Sequence, residues 1–243
     1  MKNILILGAN SVIAQATANL WAEEENNIYL LGRDLSNLRS LAEKLNSLDA
    51  KCSFSQLDVL DLDKGRLEID KAQKNLGNID IFFISYGLLD AKGNSSDLNS
   101  KLDEFYLNAN TFIYYSSLVA EILKKQKKGI IVAMGSVAGD RGKASNYVYG
   151  SAKAAVEVYF QGLRQELHGS GSEVLLIKPG PLVSPMTDHM QPNLFWSTPD
   201  KVALSIIRAI QKRKEVVYIP RYWFFIMFLL KIIPEKLYKR FNI

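Results

Sequence analysis

Three residues in one short stretch have the types and spacing to move a proton on or off an oxygen. Tyr149 and Lys153 stand four apart, which on a helix puts both on one face. A neighbouring ammonium favours the phenolate, so the pair predicts a tyrosine pKa lowered toward neutral. Such a tyrosine is a usable general acid or base for a carbonyl or carbinol oxygen. Ser136 lies thirteen residues upstream, and at the end of a strand it could hydrogen-bond the same oxygen. A Tyr-x3-Lys pair alone is common; the serine and a strand–helix setting give this one chemical meaning.

Two further stretches suit a dinucleotide. Leu7-Gly8-Ala9-Asn10-Ser11-Val12-Ile13-Ala14 opens a helix directly after an apolar run. Such a turn aims free backbone N–H groups and a positive dipole end at a pyrophosphate. Only Gly8 survives of the glycines that usually make room there, so a plain tight turn is the competing reading. Gly32-Arg33-Asp34 follows the second apolar run, where an acid would meet a ribose hydroxyl or an arginine a 2′-phosphate. Arg33 comes first and favours NADP(H). Asp34 could serve NAD(H) instead, or cap the next helix and leave Arg33 solvated.

The elements that must position these residues are legible as alternating patterns. Short apolar runs at 4–7, 28–31, 54–57, 79–84, 130–134, 174–177 and 216–219 read as buried strands. Segments at 35–48, 98–125, 147–167 and 199–211 have helical spacing. Alternation of this kind predicts an α/β fold, a doubly wound parallel sheet of Rossmann type. Domain organisation is expected as one catalytic unit over 1–219, with a helical appendage over 220–243. Ligands of such sheets sit at the carboxyl ends of the strands. Met1-Lys2 and the four apolar residues after Asn3 are read as a buried first strand rather than a signal peptide, because Gly8 and Asn10 end the run at once.

Composition removes other classes. The 243 residues are 48% hydrophobic and 23% charged, a globular balance that excludes a disordered chain. One cysteine, Cys52, and two histidines exclude a disulfide scaffold and argue against a metal centre. Cys52 is expected to be a small residue at a strand entrance. His168 sits beside Gly169 at a helix end and His189 in a loop, neither with the partners of a hydrolytic triad. The stripe over 114–123 reads as core or subunit contact. The net charge of +5 is concentrated late: residues 212–240 hold eight basic and two acidic side chains. A near-neutral remainder does not suit nucleic acid.

With these residues in view, the chain over 1–219 resembles the short-chain dehydrogenases/reductases. The resemblance is carried by Gly8, Asp58, Asn108, Gly135-Ser136-Val137-Ala138-Gly139, Tyr149-x3-Lys153 and Pro179-Gly180-x-x-Val183-Ser184-x-Met186. It implies a catalytic tetrad of Asn108, Ser136, Tyr149 and Lys153. Tyr149 would be the acid/base, Ser136 would orient the carbonyl, and Lys153 would also hold the nicotinamide ribose. Asn108 would support a proton relay through water. The implied cofactor contacts are Gly8, Asn10, Ser11, Ile13, Arg33, Asp58, Val59, Tyr86, Gly87, Tyr149, Lys153, Pro179, Gly180, Val183 and Ser184. Asp58 would meet the adenine edge and Ser184 the nicotinamide side. Val12 and Ala14 replace expected glycines, and Ile84-Ser85-Tyr86-Gly87 replaces the family's usual Asn-Asn-Ala-Gly. The turn sequence and Tyr86-Gly87-Leu88-Leu89 are similar to a narrower group that includes the decaprenylphosphoryl-2-keto-ribose reductases. The resemblance therefore implies a nicotinamide-dependent ketoreductase, in a homodimer or homotetramer, with a small-molecule or lipid-linked carbonyl substrate. An inactive nucleotide-sensing protein of the same fold is the alternative.

Two apolar segments bear on that substrate. The loop over 182–196, where this family places its substrate lid, carries Met186, Met190, Leu194, Phe195 and Trp196. It would suit an apolar substrate or simply pack on the core. The run over 222–230 is too short to span a bilayer, which needs about 20 apolar residues, and is bounded by Arg221 and Lys231. We expect residues 222–240 to form one amphipathic helix lying on the cytoplasmic face of a membrane, or a helix docked on another subunit.

Overall fold

A computed structural model describes residues 1–89, 97–188 and 191–241. His189 and Met190, named above, lie outside the described residues. Seven parallel strands form one sheet in the order β3-β2-β1-β4-β5-β6-β7. They are β1 (Asn3–Leu7), β2 (Asn27–Gly32), β3 (Lys51–Gln56), β4 (Ile81–Ile84), β5 (Gly129–Met134), β6 (Ser172–Pro179) and β7 (Val216–Ile219). Strand order reverses between β1 and β4, so the crevice at their carboxyl ends is where this topology binds ligands.

Burial on both faces explains the unbroken apolar runs. Ile4, Ile6, Ile28, Leu30, Phe83 and Val132 point to one face; Leu5, Leu7, Leu31, Phe82, Ile84 and Ile131 point to the other. The first face is covered by α1 (Val12–Ala22), α2 (Leu35–Asn46) and, later in the chain, α7 (Pro199–Gln211). The second is covered by α3 (Leu62–Leu76), α5 (Thr111–Gln126) and α6 (Tyr147–Leu167). The stripe over 114–123 is core: Tyr115, Val119 and Leu123 are buried, and Tyr115 donates to the Val59 carbonyl at 3.1 Å. Cys52 is half-buried at the start of β3, where burial pushes its thiol up to about 12. His168 follows the last residue of α6, as expected.

Three expectations need correction. β3 starts earlier than 54, because polar Lys51 and Ser53 pair with Asn27 and Tyr29 of β2, and Ile79 precedes β4 rather than belonging to it. The helix expected over 98–125 is interrupted. It comprises α4 (Leu98–Phe105), one π-helical turn at Tyr106–Asn110, and α5. The tail is two short helices, α8 (Trp223–Ile232) and α9 (Glu235–Tyr238), because Ile233 is extended and Pro234 cannot continue a helix. Among the described residues no helix is long and apolar enough to cross a membrane.

The tail folds back over the carboxyl ends of β5 and β6. Trp223 and Met227 bury against Val137, with Tyr218, Ile226 and Leu230 alongside. Gly180 makes this contact feasible: a Cβ there would stand 2.0 Å from Trp223 Nε1. Arg141 clasps the far end. Its guanidinium donates to the carbonyls of Leu230 and Lys231 at 3.0 and 2.9 Å and to Glu235 at 3.0 Å, over the Tyr238 ring.

Candidate active site

The turn after β1 is built for close approach. Gly8 has φ +88°, and a Cβ on it would meet the Ser85 carbonyl at 2.7 Å, so the first turn and the end of β4 touch. Gly8 and Ala9 N–H both donate to Leu31 O at 2.9 Å. Ser11 caps α1, accepting from Ala14 N–H, and its hydroxyl lies 2.8 Å from that of Ser85. The first N–H groups of α1, including those of Val12 and the buried Ile13, have no partner within the helix. Asn10 spends its side chain on the loop itself: Oδ1 accepts from Asp34 N–H at 3.0 Å and Nδ2 donates to Asp34 O.

At the end of β2, Asp34 caps α2 through Asn37 N–H at 3.0 Å, which commits the carboxylate locally. Arg33 is exposed beside it. Asp58 is exposed after β3 and turns back to accept from Leu60 N–H, with half-buried Val59 next to it. Beyond β4, Tyr86 hydrogen-bonds the Thr111 hydroxyl at 2.8 Å and packs on Phe112. Gly87 faces Asn108 and Met186. At the end of β6, Pro179 and the following Gly180 are buried, Val183 is exposed, and Ser184 pairs with the Thr187 hydroxyl at 3.1 Å.

Asn108 occupies the π-helical turn and is fully buried. Its Oδ1 accepts from Leu88 N–H at 3.1 Å, and its Nδ2 donates to Leu88 O at 2.6 Å and Glu104 O at 2.8 Å. The amide thus holds the segment after β4 against the long helix.

Ser136 caps the short helical turn after β5, accepting from Ala138 N–H at 3.1 Å. Tyr149 and Lys153 share a face of α6, the ammonium 5.6 Å from the tyrosine ring centroid and 4.1 Å from that of Phe112. Lys153 is 2% exposed and donates to Met134 O at 3.0 Å. Among the described residues its other two N–H bonds meet no acceptor, a capacity that fits the hydroxyls of a bound ribose or substrate. With the free N–H groups of α1, this fits a nicotinamide dinucleotide along the crevice.

The electrostatics correct one expectation. Burial pushes the Tyr149 hydroxyl up to about 12; a hydrogen bond with Ser136 offsets part of this, and the charge of Glu104 adds to it. Burial also pulls the Lys153 ammonium down to about 7. The lysine is therefore a weaker source of positive potential than its spacing suggests, and the Tyr149 hydroxyl keeps its proton at neutral pH. Glu104, buried on α4 one turn before Asn108, escaped sequence reasoning because a lone glutamate in a polar helix reads as a solvated face. Only its four-residue spacing to Asn108 marked it.

A family model described as short chain dehydrogenase matches residues 2–194. The chain belongs to the short-chain dehydrogenase/reductase family and is an NAD(P)-dependent oxidoreductase. An uncharacterized oxidoreductase of Streptomyces coelicolor is 27% identical over 98% of this chain and 95% of its own. A short-chain dehydrogenase from Sphingobium yanoikuyae, solved with NADPH, superposes with a TM-score of 0.83 at 22% identity, covering 97% of each chain. One from Burkholderia phymatum, solved with NAD, gives 0.80 at 20%, covering 89% of this chain and 88% of the other.

Proposed function

We propose that this enzyme reduces a carbonyl group with NADP(H), and that the buried Tyr149–Lys153 pair beside Ser136 is its catalytic centre. The bound cofactor supplies the hydride. Tyr149, protonated throughout the physiological range, gives its proton to the carbonyl oxygen as that oxygen becomes an alkoxide. Ser136 donates to the same oxygen and sets its position. Lys153 holds ribose hydroxyls and adds positive charge when protonated, and Asn108 fixes the wall behind them. Gly8, Asn10, Ser11, Ile13, Asp58, Val59, Tyr86, Gly87, Pro179, Gly180, Val183 and Ser184 would line the dinucleotide. The observation that carries this reading is the placement of Tyr149 and Lys153 on one face of α6 with the Tyr149 hydroxyl against Ser136; the reductive direction follows from the NADP(H) preference.

Arg33 supports the NADP(H) preference, because it is exposed at the carboxyl end of β2, where this topology would bring a ribose, while Asp34 is committed to its cap. A charge-assisted contact to a 2′-phosphate implies that Arg33→Ala weakens NADPH binding by about tenfold or more and leaves NADH nearly unchanged. Fluorescence titration of both cofactors checks this; equal losses would make Arg33 structural.

The substrate we favour is a keto sugar on a lipid carrier. Leu194 is 93% exposed and Phe195 half exposed, and Tyr222 joins this loop to the tail by donating to Phe195 O at 3.0 Å. Phe225, Phe228, Leu229 and Ile232 extend the apolar surface outward, with Arg221, Lys231, Lys236, Lys239 and Arg240 around it. The reading is peripheral contact with an anionic membrane on its cytoplasmic face. An isologous dimer would set these like charges against each other, whereas each adds about 1 kcal/mol near anionic lipid. Screening NADPH oxidation with lipid-linked keto sugars, free keto sugars, steroids and simple ketones tests the substrate class; turnover of simple ketones alone would reject it. Full-length protein should sediment with anionic liposomes, less so at high salt, and a variant ending at 220 should not. Indifference to liposomes combined with loss of a dimer on truncation would make the tail a subunit contact.

A further inference from the structure

Away from the reacting atoms, one buried charge cluster touches every element that carries them. Lys178 is fully buried on β6 and pairs with two carboxylates, Asp140 and, at 2.5 Å, Glu157. The Asp140 side chain is itself wholly buried and accepts from the Tyr218 hydroxyl of β7 at 2.9 Å. Its chain neighbour Arg141 is the clasp on the tail. Asp140 stands four residues after Ser136, Glu157 four residues after Lys153, and Lys178 two before Gly180.

Buried ion pairs of this kind are poor stabilisers, since desolvation cancels most of the attraction, and apolar replacements are often neutral or better. What they do well is fix geometry: an ammonium between two carboxylates tolerates little displacement of any partner. We propose that Lys178 is a positioning residue, tying the serine loop, the tyrosine–lysine helix and strand β6 into one register. The inference rests on the assignment of Ser136, Tyr149 and Lys153 to catalysis.

The test is a variant that removes all three charges together, Lys178→Met with Asp140→Asn and Glu157→Gln, so that no buried charge is orphaned. We expect an unchanged or higher thermal midpoint and NADPH affinity within about twofold. With the best ketone from the screen above, kcat should fall about tenfold or more, the size of effect that sub-ångström misplacement brings. A merely structural cluster would lower the midpoint and leave kcat of the folded fraction intact. An unchanged kcat at an unchanged midpoint would overturn the proposal. Should the triple variant not fold, Glu157→Gln alone releases α6 while Lys178 keeps Asp140; kcat must then fall about threefold or more at a held midpoint, and no fall overturns the proposal. Tyr149→Phe run in parallel separates the two readings: its retention of turnover would reject the catalytic assignment itself, whereas its loss beside a fully active triple variant would reject only the role of Lys178.

Discussion

Tyr149→Phe is expected to lose turnover by about 10²–10⁴-fold while keeping fold and NADPH affinity. The substitution removes one hydroxyl and leaves the ring on α6, so the packing that holds Lys153 and Phe112 is unchanged. What disappears is the proton that must reach the carbonyl oxygen as negative charge develops there. Ser136 can still hydrogen-bond that oxygen but has no acidity to replace a phenol. Stopped-flow reduction with saturating NADPH measures the loss directly. Near-normal turnover would exclude Tyr149 as the acid.

Lys153→Met should cost both kcat and cofactor affinity, and it should remove a pH dependence. The folded ammonium titrates at about 7 because burial penalises its charge. In the free enzyme, kcat/KM for reduction should therefore fall as pH rises through about 7, approaching tenfold per unit. Tyr149, at about 12, stays protonated across this window and contributes no slope. The stability effect has the opposite sense. An unfolded lysine keeps its proton to about 10.4, so folding sheds a proton between about 7 and that value, and stability rises with pH across it. The burial penalty is largest below 7, and there Lys153→Met should melt at a higher temperature than the native enzyme. A loss of activity with a gain in midpoint is the signature; a pH profile unchanged in the variant would show that another group titrates.

How much of this could be read from residues alone follows from what each one must satisfy. Strands β1, β2, β4, β5 and β6 are buried on both faces, so their apolar runs are unbroken and easily seen. Tyr149 and Lys153 lie one helical turn apart on α6, a local relation that spacing captures. Ser136 needed only a strand end before it. The tyrosine's acidity was misread because spacing carries no information on burial, and burial dominates both members of the pair. Lys178 lies just past the apolar run 174–177 and drew no reading of its own, since its partners Asp140 and Glu157 are distant in sequence and become neighbours only when β5, β6 and α6 pack. The break at Pro234 was available in the sequence; the continuing apolar and basic pattern around it concealed a residue that no helix interior accepts.

The π-helical turn at Tyr106–Asn110 has a consequence for heredity. An ordinary helix through this region would be one residue shorter, and each residue advances a helix by about 100°. The surplus residue lets α5 keep Phe112, Tyr115 and Val119 in the core while α4, upstream, turns Glu104 inward and Asn108 reaches Leu88. Loss of one codon in this turn would preserve the reading frame, the apolar pattern and the helix, yet swing the wall of the site out of phase with the core. The gene can thus lose function here by a change too small to disturb any pattern that marks the protein as folded.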